Sequence, residues 1–141
     1  MTHLHQAKCH CGNVAITVKL SDGFKSAIRC NCSYCRMRGA VEVSVPTSDL
    51  TIIKGKEYLS EYRFNTGVAK HYFCSCCGIY THHQKRSDPS WFGVNVAILD
   101  GVSPFNFSEI QVVDGNNHSL DNDGKVSVAG RLNYVEKIKG I

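Results

Sequence analysis

Several things that would settle the class of this chain at once are missing from its sequence. The longest apolar stretch, residues 94–99, falls far short of the roughly 20 residues that cross a bilayer. Residues 1–8 are polar and lack the apolar core of an export signal, which predicts a cytoplasmic protein. No run of lysine or arginine stands out, so the formal charge of +4 reads as a solvated surface and not as a nucleic-acid footprint. Low-complexity tracts are absent, and nothing repeats except short cysteine knuckles. Helical spacing is scarce as well, and only residues 132–139 show it. What is left is a soluble chain of 141 residues, most simply one domain, with no nucleic-acid or membrane partner expected.

Strand patterns fill most of the remainder. Residues 13–20 alternate, with Val14, Ile16 and Val18 on one side and Thr17 and Lys19 on the other. That is a half-buried strand, ended by Asp22-Gly23, and residues 24–29 read as its hairpin partner. Residues 40–45 align Val41, Val43 and Val45 and stop at Pro46. Further strands are expected at 50–54 and 58–64, with a turn at Gly55 between them, and at 68–73, 91–99 and 108–113. Four Asp-Gly pairs and this close spacing predict a mainly β fold. Residues 115–124 are polar and turn-rich, and read as a surface loop.

Eight cysteines, at 9, 11, 30, 32, 35, 74, 76 and 77, are the strongest feature. With no export signal and with C-x-C and C-x-x-C clustering, they point to metal rather than to disulfides. The Asn-x-Ser sequons at Asn31, Asn106 and Asn117 are then chance matches. Cys9-His10-Cys11-Gly12 and Cys74-Ser75-Cys76-Cys77-Gly78 each look like half of a four-sulfur site. A glycine after the last cysteine permits a tight turn whose N–H groups approach the sulfurs. That logic pairs Cys74 with Cys77 and leaves Cys76 a bystander; Cys74 with Cys76 is the alternative. Such a clip closes a loop of more than sixty residues, and bound zinc would add its own folding free energy.

Cys30, Cys32 and Cys35 form a second cluster. Three thiols within six residues can close around one zinc ion, but zinc takes four ligands. Cys76, or a histidine at 10, 71, 82 or 83, could complete the set, giving a closed structural site in a non-catalytic binding module. A reversible thiol redox or metal sensor is a further alternative. If the position stays open, three thiolates leave the ion near −1 and poor at acidifying water, so hydrolysis matches badly. A fourth thiolate is a better guest. Arg36 and Arg38, beside Lys8 and Arg29, could offset the negative site or hold the carboxylates of a small acidic thiol.

With those residues in place, the chain resembles the glutathione-dependent formaldehyde-activating family, which includes the centromere protein V relatives. The matching pieces are Lys8-Cys9-His10-Cys11-Gly12, Arg29-Cys30-Asn31-Cys32-Ser33-Tyr34-Cys35-Arg36, Phe73-Cys74-Ser75-Cys76-Cys77-Gly78 and Val94-Asn95-Val96-Ala97-Ile98-Leu99-Asp100. The resemblance implies a β-tent fold of small antiparallel sheets stapled by zinc. It implies one domain over 1–141, with its core at about 5–115 and a C-terminal extension at about 116–141. It also implies a structural zinc on Cys9, Cys11, Cys74 and Cys77 and a catalytic zinc on Cys30, Cys32 and Cys35. The implied activity joins formaldehyde to glutathione as S-hydroxymethylglutathione, formally a carbon–sulfur lyase in reverse. Cys76 departs from the pattern as an extra thiol inside the second knuckle.

Overall fold

Side-chain alternation decides what each strand of this chain buries, and the computed structural model, which describes residues 2–121 and 123–138, shows the outcome. Three strands, β1 (His3–Lys8), β2 (Ala15–Leu20) and β5 (Leu50–Lys54), form a small antiparallel sheet in the order β1-β2-β5. The others are β3 (Ile28–Cys30), β4 (Glu42–Pro46), β6 (Leu59–Tyr62), β7 (Lys70–Cys74), β8 (Tyr80–Gln84), β9 (Trp91–Asn95), β10 (Glu109–Val113) and β11 (Val128–Asn133). They make an eight-stranded sheet in the order β11-β10-β3-β4-β9-β8-β7-β6. All its pairs are antiparallel except β10 with β3, which run parallel and set Val113 opposite Cys30. The mainly β expectation holds.

The hydrophobic core lies between the sheets. Ile16, Val18 and Leu20 of β2 meet Val43 and Val45 of β4 and Val94 of β9, all essentially without exposure. Each such aliphatic side chain contributes roughly 1.5–3 kcal/mol when fully withdrawn from water. Because successive strand residues face opposite ways, burying Val43 and Val45 turns Glu42 and Ser44 to the other face. The same parity carries along β8, whose His83 shares a side with Lys85 just beyond its end. The larger sheet therefore has one apolar face and one polar face.

Some expectations are corrected. Residues 24–29 are not the hairpin partner of β2; the pairs of β2 are β1 and β5, and Ile28–Cys30 joins the larger sheet instead. Strand β1 had no alternation to betray it, since Ala7 is its only buried residue. The helical spacing at 132–139 is overridden by pairing: Leu132 and Asn133 complete β11 against β10, residues 134–138 have no regular structure, and Lys139 is outside the described residues. The strand expected over 91–99 ends at Asn95, whose Oδ1 accepts from the Ala97 N–H at 3.0 Å and starts a 3-10 turn over Val96–Ile98. A helix that the spacing did not indicate, α1 (Ser33–Arg38), follows β3. At six residues it is too short to show a period, and it ends at Gly39 with φ 71°.

The two sheets are joined at tight turns, of which Gly55 is the least tolerant. It has φ 81°, and a Cβ there would overlap the backbone carbonyl of Asn13, which cannot swing aside. Gly55→Ala is expected to cost roughly 2–4 kcal/mol through left-handed strain plus the backbone clash, measured by chemical denaturation.

Candidate metal centres and cleft

Cys9 and Cys11 lie on the β1–β2 turn, Cys74 ends β7, and Cys77 sits in the β7–β8 turn. The four sulfurs all lie within 4.8 Å of one another, with Cys9 to Cys11 at 3.6 Å and Cys11 to Cys74 at 3.7 Å. A tetrahedron of metal–thiolate bonds near 2.3 Å has edges of about 3.8 Å, so the cage fits a tetrahedral ion. Backbone donors support it: the Val14 N–H reaches Cys9 Sγ at 3.3 Å. The N–H groups of Cys11 and Ile79 bring Cys77 down to about 6, while burial pushes Cys74 up to about 12. Cys76 is exposed and outside the cage. All eight cysteines are free of disulfides.

Cys30 at the end of β3, Cys32 at the cap of α1 and Cys35 in its first turn form the second group, again with sulfurs within 4.8 Å of one another. The helix start explains the gathering. Cys32 Sγ caps α1 by accepting the Cys35 N–H at 3.4 Å, and the Cys32 N–H reaches Cys30 Sγ at 3.5 Å. Hydrogen bonds from the neighbouring thiols of Cys30 and Cys35 lower the pKa of Cys32. Gly115 roofs this group; a Cβ at that position would run into Cys30 Sγ. Asn31 holds the roof in place, its Oδ1 accepting from the Gly115 N–H at 2.8 Å and its own N–H donating to the Val113 carbonyl at 3.2 Å.

Among the described residues no fourth Cys, His, Asp or Glu joins the trio at that spacing. His82, a candidate to close it, is buried away from the trio with Nδ1 2.9 Å from Thr81 Oγ1. His10 is exposed on the first knuckle. The trio instead lies in a cleft of about 490 Å³ on the polar face of the larger sheet. The strand register lays His71, His83, Gly93 and Ser44 side by side across β7, β8, β9 and β4 as its floor.

Buried charges brace that floor. Glu42 accepts from Arg38 at 2.9 Å and meets His83 Nδ1 at 3.0 Å, a contact made possible by Gly93, where a Cβ would collide with both groups. Burial pushes the Glu42 carboxyl up, but His83 and Arg38 outweigh it and hold it at about 2. Arg38 also donates to His71 Nδ1 at 2.9 Å and to Cys35 Sγ at 3.5 Å, and it lies 3.6 Å above the Tyr80 ring. Burial, with His83 and Arg38 nearby, lowers His71 to about 4 and keeps it neutral. The Tyr80 hydroxyl is 2.7 Å from His83 Nδ1.

The arginines take different places from those expected of carboxylate anchors. Arg36 is exposed and does not line the cleft. Arg38 lies beneath the trio, so its place fits the offset of negative charge; its two terminal nitrogens are engaged by Glu42, His71 and Cys35, while its buried Nε has no partner among the described residues. Glu42, Lys85 and Gly115 were missed from the sequence. The signal for Glu42 was its polar position between the aligned Val41 and Val43, whereas Gly115 read only as half of a turn pair.

Fold and sulfur geometry define a mainly β, cysteine-rich domain with two groups able to hold metal ions. The family model described as glutathione-dependent formaldehyde-activating enzyme matches residues 4–112, and the chain belongs to that family. A crystal structure of a Rhodobacter sphaeroides protein is 52% identical over 76% of this chain and 98% of that one, with a TM-score of 0.74. Residues beyond 112 lie outside the family match, yet Gly115, His118 and Asp121 line the cleft.

Gly115→Ala should push the roof off the trio. The expected result is a loss of about one equivalent of bound metal per chain by elemental analysis, with the circular dichroism spectrum retained because the four-sulfur cage is untouched.

Proposed function

We propose that this chain is a zinc-dependent enzyme that adds glutathione, or a similar small acidic thiol, to formaldehyde, giving S-hydroxymethylglutathione or the corresponding adduct. In class it is a carbon–sulfur lyase acting in the joining direction. One observation carries the reading: three thiols stand together in an open cleft, with no fourth ligand from the described residues. Family membership supports it. Cys9, Cys11, Cys74 and Cys77 would hold a structural zinc, and Cys30, Cys32 and Cys35 the catalytic one. Zinc bound by the trio would favour an entering thiol in its thiolate form.

The residues around the trio then have separable tasks. Arg38 draws charge from Cys35 and is itself neutralised by Glu42, so the trio can carry three thiolates without an unpaired buried cation behind it. The cleft volume of about 490 Å³ is in the range of small-molecule sites, roughly 300–1,000 Å³. His83 shares its Nδ1 proton between Glu42 and Tyr80, leaving Nε2 without a protein partner among the described residues. That nitrogen takes the thiol proton. The sulfur attacks the aldehyde carbon, a C–S bond forms, and the carbonyl π pair moves onto oxygen. His83 returns the proton to this alkoxide, so the addition neither consumes nor releases one.

Glutathione added to zinc-loaded protein should raise the sulfur count at the second metal by about one in X-ray absorption; an unchanged count overturns thiol coordination. Cys32→Ala should abolish turnover while the fold and the four-sulfur metal remain, and normal activity would refute its role. His83→Asn keeps a donor toward Glu42 but cannot shuttle a proton. It is expected to lower kcat about 10²-fold with glutathione binding preserved, as read by steady-state kinetics and calorimetry.

A further inference from the structure

The arginines that line or brace the cleft are committed to carboxylates. Arg38 is paired with Glu42, and Arg86 holds Asp121 with two hydrogen bonds of 3.0 and 2.8 Å. Lys85 is the exception. It follows β8, lines the cleft and is half-buried, yet among the described residues no carboxylate comes within the 4.0 Å of an ion pair. Its ammonium donates instead to Ser44 Oγ on β4, two strands away. The strand between them places Gly93 opposite Ser44 on one side and His83 on the other. Ser44 lines the same cleft and is fixed by its own N–H, which donates to Ser26 Oγ at 3.0 Å.

A cation withdrawn from water is costly when its only partner is a neutral hydroxyl. Burial accordingly lowers the pKa of Lys85. An ammonium has three donor positions, and Ser44 uses one, leaving the others for an acceptor inside the cleft. The face it shares already carries the trio, so a ligand reaching the sulfurs must pass the same enclosed space. Glu42 and Asp88 act on Lys85 only from beyond ion-pair distance, and a negative group on that ligand would give it a direct charge partner.

We propose that Lys85, steadied by Ser44, is the anchor for a carboxylate of the thiol substrate, and that the cleft thereby selects thiols carrying such a group over neutral or cationic ones. This rests on the reading of the trio as a thiol site. The anchor explains why Arg36 and Arg38 need not serve: one is outside the cleft and the other is already neutralised.

The test is calorimetric titration of zinc-loaded wild type, Lys85→Met and Lys85→Arg with glutathione and with cysteamine, a thiol lacking a carboxylate. Lys85→Met is expected to weaken glutathione about tenfold or more while cysteamine stays within about twofold, and Lys85→Arg should recover most of the loss. Lys85→Gln serves the same comparison if the methionine variant does not fold. Unchanged glutathione affinity in the uncharged variants, or an equal loss for both thiols, overturns the anchor and leaves the thiol site standing. Failure of both thiols to bind wild type overturns the thiol site itself, and the anchor with it.

Discussion

The ion pair between Arg38 and Glu42 is the constraint around which the site is built. A guanidinium and a carboxylate removed from water tolerate burial only when each finds nearly its full set of partners. Here Glu42 receives Arg38 and His83, and Arg38 reaches Cys35, His71 and the Tyr80 face. The pair thus couples the short helix carrying Cys35 to three neighbouring strands, β4, β7 and β8. The position of the trio above the sheet follows from that coupling as much as from the turn that gathers its sulfurs.

Beneath this lies an economy in the larger sheet. One face of β4 and β9 supplies Val43, Val45 and Val94 to the core, and the other supplies Glu42, Ser44 and the gap at Gly93 to the cleft. Stability and chemistry are interleaved residue by residue. A one-place slip in register would expose the valines and bury the charges, so the apolar core also keeps the polar face in alignment.

Much of this was legible in the residues. The alternation in β2 and β4 and the two sets of cysteines mark the core strands and the metal groups, because period-two burial and local sulfur spacing are properties of short stretches. What could not be read was non-local. The parallel pairing of β3 with β10 joins segments some eighty positions apart, and nothing in residues 24–29 distinguishes it from a hairpin. The roof at Gly115 and the partners of Arg38 depend on that pairing and on a helix too short to announce itself. Strand β1 was hidden for another reason: as an edge strand with one buried residue, it carries no pattern.

The wall of the cleft formed by residues 114–121 has one further consequence. None of these residues is fully buried, and the segment holds no strand. It is tied down at two ends, by Asn31 on Gly115 and by Arg86 on Asp121. Substitutions between those ties can reshape the entrance without drawing on the core, so this wall, unlike the floor laid by the sheet, can change independently of thermal robustness.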